Sequence, residues 1–289
     1  MDTETINPKI CVENDFTLHI LNYGLPLCQF SIECSGKWPK KHFWIGVGEK
    51  EKANCLICKC VASREQSLTP AELFIIDALG IGALELVPEG RKLKSGRVSP
   101  YFFNSGRFTT GKSLDQLAHA YIVSLTRCFD DNVEVIFGPA YKGIPLSVAI
   151  ALQLNCDVGY AFNRKETKRH GEGGDVIGMD LTGKRVIIVD DVISTGESKR
   201  EAVEIIRTHG GTPIGCVIAF DRQERGCETD LASSAVQEFE RLFDIPLVAV
   251  ATLADLISVL QMTATGGDKN AGDSLEMILT YQAHFGISS

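Results

Sequence analysis

Two adjacent carboxylates, Asp190 and Asp191, close an apolar β-branched run from Val186 to Val189, and a loop rich in small hydroxyl residues follows them. That loop runs Val192, Ile193, Ser194, Thr195, Gly196, Glu197, Ser198 and leads into a helical pattern, KREAVEIIRTHGG. Strand, acidic pair, small-residue loop and helix make a holder for a phosphorylated sugar. The loop's N–H groups and the helix N-terminus can cradle a phosphate. Carboxylates at the C-terminal end of a strand can accept hydrogen bonds from sugar hydroxyls, where open α/β sheets place their ligands. The bland alternative is a buried strand ending in a solvated turn, which has little use for both adjacent acids and a hydroxyl-rich loop.

Other segments offer cations. FGPAYKG (137–143) follows another strand-like run, and Lys142 sits between two glycines on a loop stiffened by Pro139. NRKETKRHGEGGDVIG (163–178) gathers Arg164, Lys165, Lys168, Arg169 and His170 before four glycines. A basic run on a glycine-rich stretch suits a lid that closes over a polyanion and excludes water. KLKSGRVSPYFFNS (92–105) combines Lys94 and Arg97 with Tyr101, Phe102 and Phe103. Phe rings can stack on a planar base, although strand alternation buries one of the two. DRQERG (221–226) carries Arg222, whose planar fork matches a carboxylate.

The elements that must position these groups alternate. Residues 69–79 predict a helix with Thr69 as N-cap and Glu72 three residues on. Residues 112–128 place Leu114, Leu117, Ala118, Tyr121, Ile122 and Leu125 on one stripe. Strands are expected at 133–138, 158–162, 186–190, 214–220 and 246–252, with helices near Pro145 and at 199–209 and 231–243. The last 25 residues suggest a polar loop and a short helix. Strands alternating with helices imply a mostly parallel sheet flanked by helices, an α/β fold.

Composition narrows the classes. The 289 residues are 44% hydrophobic and 23% charged with a net charge of −8, which argues against a broad nucleic-acid footprint. No apolar run reaches membrane-span length. The N-terminus lacks the pattern of a secretory signal, so the expected setting is the cytoplasm with reduced cysteines.

Taken in order, LKSGRVSPYFFN, FGPAYKGIPL, AFNRKETKRHGEGG, VIIVDDVISTGES and AFDRQERG resemble the motifs of the type I phosphoribosyltransferases, and specifically the orotate phosphoribosyltransferase family. The likeness runs from about residue 68 to 286. It implies the type I phosphoribosyltransferase fold with a small hood subdomain, Mg²⁺ held mainly through substrate and water, and a homodimer. It also implies transfer of a phosphoribosyl group from 5-phosphoribosyl 1-diphosphate to orotate. By resemblance, Asp190 and Asp191 hold the ribose hydroxyls, Asp191 being counted with Lys168 and His170 as catalytic. Val192, Ile193, Ser194, Thr195, Gly196, Glu197 and Ser198 form the 5′-phosphate loop, with Ser194 also touching orotate. Tyr141 and Lys142 match the diphosphate loop, and Arg164, Lys165, Lys168 and His170 match a lid shared across subunits. Lys94, Phe102, Phe103 and Arg222 match the orotate pocket, Lys94 also serving the donor. Arg169 and the STGES loop depart from the usual pattern but keep its chemistry. Rival readings are a purine- or uracil-specific enzyme of the same class, and a non-catalytic sensor. The sensor has less need of lid cations and base pocket together.

Residues 1–67 lie outside the resemblance. They hold eight acidic and eight basic residues and six of the ten cysteines. Cys28, Cys34, His42, Cys55, Cys58 and Cys60 match no familiar two-knuckle zinc spacing. The expectation is a poorly packed or partly disordered extension before a catalytic domain at 68–289. A chain lacking residues 1–67 is expected to keep full phosphoribosyl transfer in a steady-state assay. A folded but inactive truncation would overturn that division.

Overall fold

Residues 9–12, 16–21, 29–34, 68–129, 132–154, 157–165, 174–193, 196–226 and 233–287 are described by the computed structural model. The expectation of a loosely packed extension over 1–67 falls mostly outside them. Within that segment β1 (Lys9–Val12), β2 (Phe16–Leu21) and β3 (Gln29–Cys34) pair as an antiparallel three-stranded sheet, despite the poor periodicity there.

At Leu68 local signal and structure begin to agree. Thr69 caps α1 (Pro70–Gly80) in a full capping box with Glu72. An antiparallel hairpin follows, β4 (Leu84–Lys92) and β5 (Val98–Phe103). A 3₁₀ turn (Ser105–Arg107) leads to α2 (Gly111–Cys128). Then come β6 (Val135–Phe137), α3 (Gly143–Leu154), β7 (Gly159–Asn163), β8 (Val176–Gly178) and β9 (Arg185–Val192). The chain continues through α4 (Glu197–Thr208), β10 (Thr212–Asp221), α5 (Ala235–Phe243) and β11 (Leu247–Thr252). It finishes with α6 (Leu253–Thr265) and α7 (Lys269–Phe285).

The central sheet has the order β11-β10-β9-β6-β7-β8, parallel except for the edge strand β8. Chain progression from β6 runs toward β7, and from β9 toward β10. The order therefore switches direction between β6 and β9, and a crevice opens at their C-terminal ends. Both sheet faces are covered. Ile187 and Val189 face a core shared with α1, α2, α3, α6 and α7, whereas Val186 and Ile188 face α4 and α5. This two-sided burial explains why β9 reads as a continuous apolar run.

The C-terminal region differs from expectation. The LADLISVLQMTAT stretch forms α6, and α7 is 17 residues long, not short, because Asp268 caps it inside the supposed polar loop. α7 packs against the β4–β5 hairpin, whereas α6 packs against α1 and β11 in the main core. Among the described residues no helix is long and apolar enough to cross a membrane.

The loop after β6 depends on two glycines that touch. A Cβ on Gly138 would lie 2.0 Å from the Gly143 carbonyl oxygen, and one on Gly143 would lie 2.6 Å from the Gly138 carbonyl carbon. No side chain can yield there, so backbone must move. Gly138→Ala is expected to destabilise the protein by about 2–3 kcal/mol, the scale of core overpacking, in a denaturant melt. A midpoint equal to that of the parent would show the loop to be plastic.

Candidate active site

The crevice at the switch point is where the sequence motifs meet. Asp190 and Asp191 end β9 with only 6% and 7% of their surface exposed. Burying charge that deeply requires compensating partners. Asp191 Oδ2 accepts from Lys142 Nζ at 2.6 Å and from Ser105 Oγ at 3.3 Å, and its Oδ1 accepts from the Val192 N–H. Lys142 thus crosses from the loop after β6 to an acid near the C-terminal end of β9. It also approaches Asn104 Oδ1 at 3.4 Å, which ties in the end of the hairpin.

Asp190 is held differently. Its Oδ1 accepts from the Asp191 N–H at 2.9 Å. Its Oδ2 accepts from Ser198 Oγ at 3.1 Å and from Lys199 Nζ at 2.5 Å. Lys199 also donates to the Val192 carbonyl, and its side chain is only 4% exposed. The two carboxylates, expected to act as an equal pair on the sugar, therefore sit in unlike surroundings. Asp190 is bound into the first turn of α4, and Asp191 faces the diphosphate loop.

Lys199 was absent from the sequence expectations, although a signal existed. Lys199, Ala202, Val203 and Ile206 are the buried residues of α4, at helical spacing, so the lysine falls on the apolar stripe. Tyr121 was read only as a stripe residue. Its hydroxyl, fully buried on α2, donates to the Asp190 carbonyl at 2.7 Å. Burial, with Asp191 and Asp190 nearby, pushes the phenol well above its ordinary value, so it stays a neutral donor.

The phosphate loop is described at Val192, Ile193 and from Gly196 on, while Ser194 and Thr195 lie outside the described residues. Gly196 is buried, has φ of 73° and opens α4 without any side-chain cap, leaving the helix N-terminus to a ligand. Glu197 is exposed and Ile193 packs into the α4-side core.

The two ends of the segment expected to form a lid are joined. The Arg164 N–H donates to the Asp175 carbonyl at 2.6 Å, continuing the antiparallel β7–β8 pairing. Lys165 reaches Glu201 of α4 at 3.2 Å. Lys168, Arg169 and His170 lie outside the described residues. The diphosphate loop is braced from the lid strand, since Asn163 Oδ1 accepts the Ala140 N–H at 2.8 Å, while Tyr141 is exposed.

The expected base pocket divides. Phe103 is a core residue, stacked on Phe220 at 5.9 Å. Phe102 faces the other way, with the Arg91 guanidinium 4.4 Å from its ring centre. Arg222 lies 4.3 Å over the Tyr101 ring, donating from Nε to Glu224 at 2.7 Å and from Nη2 to Ser99 at 2.8 Å. Lys94 is exposed in the hairpin turn, and no hydrogen bond or ion pair joins it to the acids among the described residues.

Among the described residues no group of three His, Cys, Asp or Glu side chains is placed to hold a metal. The donor set fits Mg²⁺ in a limited way. Asp191 offers the oxygen chemistry Mg²⁺ prefers, but one carboxylate suits an ion carried largely by phosphates and water.

Comparison with known proteins agrees with this geometry. Residues 109–246 match the family described as a phosphoribosyl transferase domain. The orotate phosphoribosyltransferase of Stenotrophomonas maltophilia (strain K279a) is 49% identical over 200 residues, covering 68% of this chain and 88% of that protein. That of Halorhodospira halophila is 48% identical over 222 residues, covering 75% and 98%. The crystal structure of the Francisella tularensis orotate phosphoribosyltransferase superposes with a TM-score of 0.62 at 34% identity, over 74% of this chain and 99% of that one. A sheet whose switch point carries a compensated acid pair and a lysine loop, in a chain this similar to such relatives over nearly their whole length, belongs to the orotate phosphoribosyltransferase family.

Proposed function

We propose that the chain transfers the 5-phosphoribosyl group from 5-phosphoribosyl 1-diphosphate to orotate, giving orotidine 5′-phosphate and diphosphate, a step of pyrimidine (UMP) synthesis. The observation that carries this reading is the Asp191–Lys142 contact at 2.6 Å across the switch point. It puts an acceptor for sugar hydroxyls beside a cation for the diphosphate. The names of the relatives supply the acceptor.

The chemistry follows from these groups. Orotate's ring nitrogen forms a bond to the anomeric carbon as the bond from that carbon to the diphosphate oxygen breaks; the electron pair leaves with diphosphate, and the nitrogen's proton passes to the departing diphosphate or to water. Positive charge develops on the ribose and negative charge grows on the leaving group. Asp191 lies on the ribose side, with Asp190 held behind it by Lys199. The uncapped N-terminus of α4 receives the 5′-phosphate. Lys142, Arg164, Lys165 and Lys168 oppose the charge on the diphosphate, and His170 closes with Lys168. When bound, Mg²⁺ neutralises part of that same charge. Phe102 offers the ring face open to a planar base, Phe103 backs the hairpin from the core, and Arg222 takes the orotate carboxylate.

A homodimer is part of the proposal. Pro145, Val148 and Leu152 recur at helical spacing on one exposed face of α3, with Leu152 at 77% exposure, and Tyr141, in the loop before it, is 69% exposed. Tyr160 and Met179 add exposed apolar surface on β7 and just after β8. A second copy covering this face brings its lid near the partner's crevice. The proposed setting is the cytoplasm, in keeping with free Cys128 and with Cys216, whose thiol burial pushes up to about 12.

The direct test is a panel of orotate, uracil, adenine, hypoxanthine and guanine with 5-phosphoribosyl 1-diphosphate and Mg²⁺. Orotate alone is expected to turn over, and turnover of a purine without orotate would sink the assignment. Asp191→Asn should raise the donor KM about tenfold or more, the scale of a lost charged hydrogen bond, with the orotate KM unmoved. Lys168→Ala should lower kcat about 100-fold or more, as for other preorganised charges. A variant within threefold of the parent would remove Lys168 from the mechanism.

A further inference from the structure

Glu224 stands at the centre of a buried cluster that the transfer chemistry above does not use. Its side chain is 10% exposed, and three donors converge on it from three parts of the chain. Arg97, in the hairpin turn, donates to Oε2 at 2.9 Å. Arg222, just after β10, donates from Nε to Oε1 at 2.7 Å. Tyr281, on α7 and 6% exposed, donates its hydroxyl to the same Oε1 at 3.0 Å. Burial and the Glu224 charge raise the Tyr281 phenol, which keeps it a neutral donor. The surrounding chain is tied down as well. The Arg225 N–H donates to the Phe285 carbonyl, the Ile287 N–H donates to the Gln223 carbonyl, and Glu224 bridges Gly286. Arg97 lies 5.1 Å over the Phe285 ring.

Two guanidiniums share one carboxylate. Among the described residues Arg97 and Arg222 have no second acidic partner within ion-pair distance, so both depend on Glu224 for their direct charge partner. Arg222 is also fixed in direction. Tyr101 lies beneath its plane, Ser99 holds one nitrogen, and Glu224 holds Nε.

We propose that Tyr281 is a specificity-determining positioning residue, which acts through Glu224 to aim Arg222 at the carboxylate of the acceptor base. The C-terminal helix is thereby part of the acceptor site, although no residue of it needs to touch the base. This rests on the reading of Arg222 as the acceptor's carboxylate partner.

Steady-state kinetics of the full chain test it with both substrates varied. Tyr281→Phe keeps the ring and its edge contact with Tyr101. It is expected to raise the orotate KM about fivefold, part of the worth of a hydrogen bond to a charged carboxylate, with the donor KM unchanged and the melting temperature lowered by roughly 3–10 °C. In a Glu224→Leu background, which leaves no acceptor for either Tyr281 or Arg222, the same substitution should have no further effect. Equal rises in both KM values, or effects that multiply in the double variant, would overturn the proposal. Arg222→Ala separates the two readings. An unchanged orotate KM in that variant removes Arg222 from the acceptor site altogether. A large rise there, with Tyr281→Phe silent, removes only Tyr281.

Discussion

The compensation of Asp190 and Asp191 is the constraint on which the rest of the architecture turns. Two adjacent carboxylates at 6% and 7% exposure repel one another where water screens them little. A buried charge left unpaired costs several kcal/mol. The fold answers with one lysine for each acid, from opposite sides. Lys199 comes from the helix that follows β9, and Lys142 from the loop that follows β6. Each is attached to the crevice by short chain, so neither acid can keep its place unless both βα units are in register. Sheet order, loop geometry and site electrostatics are in this sense one condition.

The β4–β5 hairpin is joined to the same point. Asn104 and Ser105, at the end of the hairpin, reach Lys142 and Asp191. Farther along the hairpin, Ser99 reaches Arg222 at the end of β10. Tyr121 enters from beneath, on α2. One β-hairpin thus joins Asp191 at one end and Arg222 farther along, and its aromatic residues anchor it through Tyr101 and Phe103 on Phe220.

Much of this was legible in the chain. Thr69 with Glu72 announces α1, because a capping box is a local, stereochemical signal. The β9 run and the acids after it are legible because a strand buried on both faces reads as unbroken apolar sequence. What was missed depends on tertiary context. The α6 segment is apolar around most of its circumference, so it lacks the polar face that marks a surface helix. The start of α7 was hidden in GGDKNAGD, where a capping aspartate looks like any loop residue. Lys199 lies in a charged KRE run and was not singled out, although its helical position places it inward. The direction in which Phe102 and Phe103 point follows from hairpin register, which local sequence does not determine.

The place of β9 in the sheet has a consequence for how the molecule is made. β9 lies between β6 and β10, so it must add to an edge of β6 left open while α3, β7 and β8 are laid down. Folding therefore waits on a contact between residues roughly fifty positions apart, a long-range pairing of the kind that slows folding. During synthesis from the N-terminus, the loop bearing Lys142 is present before the acids emerge, and Lys199 follows within a turn of helix. The acids need never be buried without a cation at hand. A chain stopped short of α4 meets the opposite situation, with Asp190 inside the sheet and no lysine beside it. Both lysine partners of the acid pair are therefore in place only once the chain has grown through the start of α4.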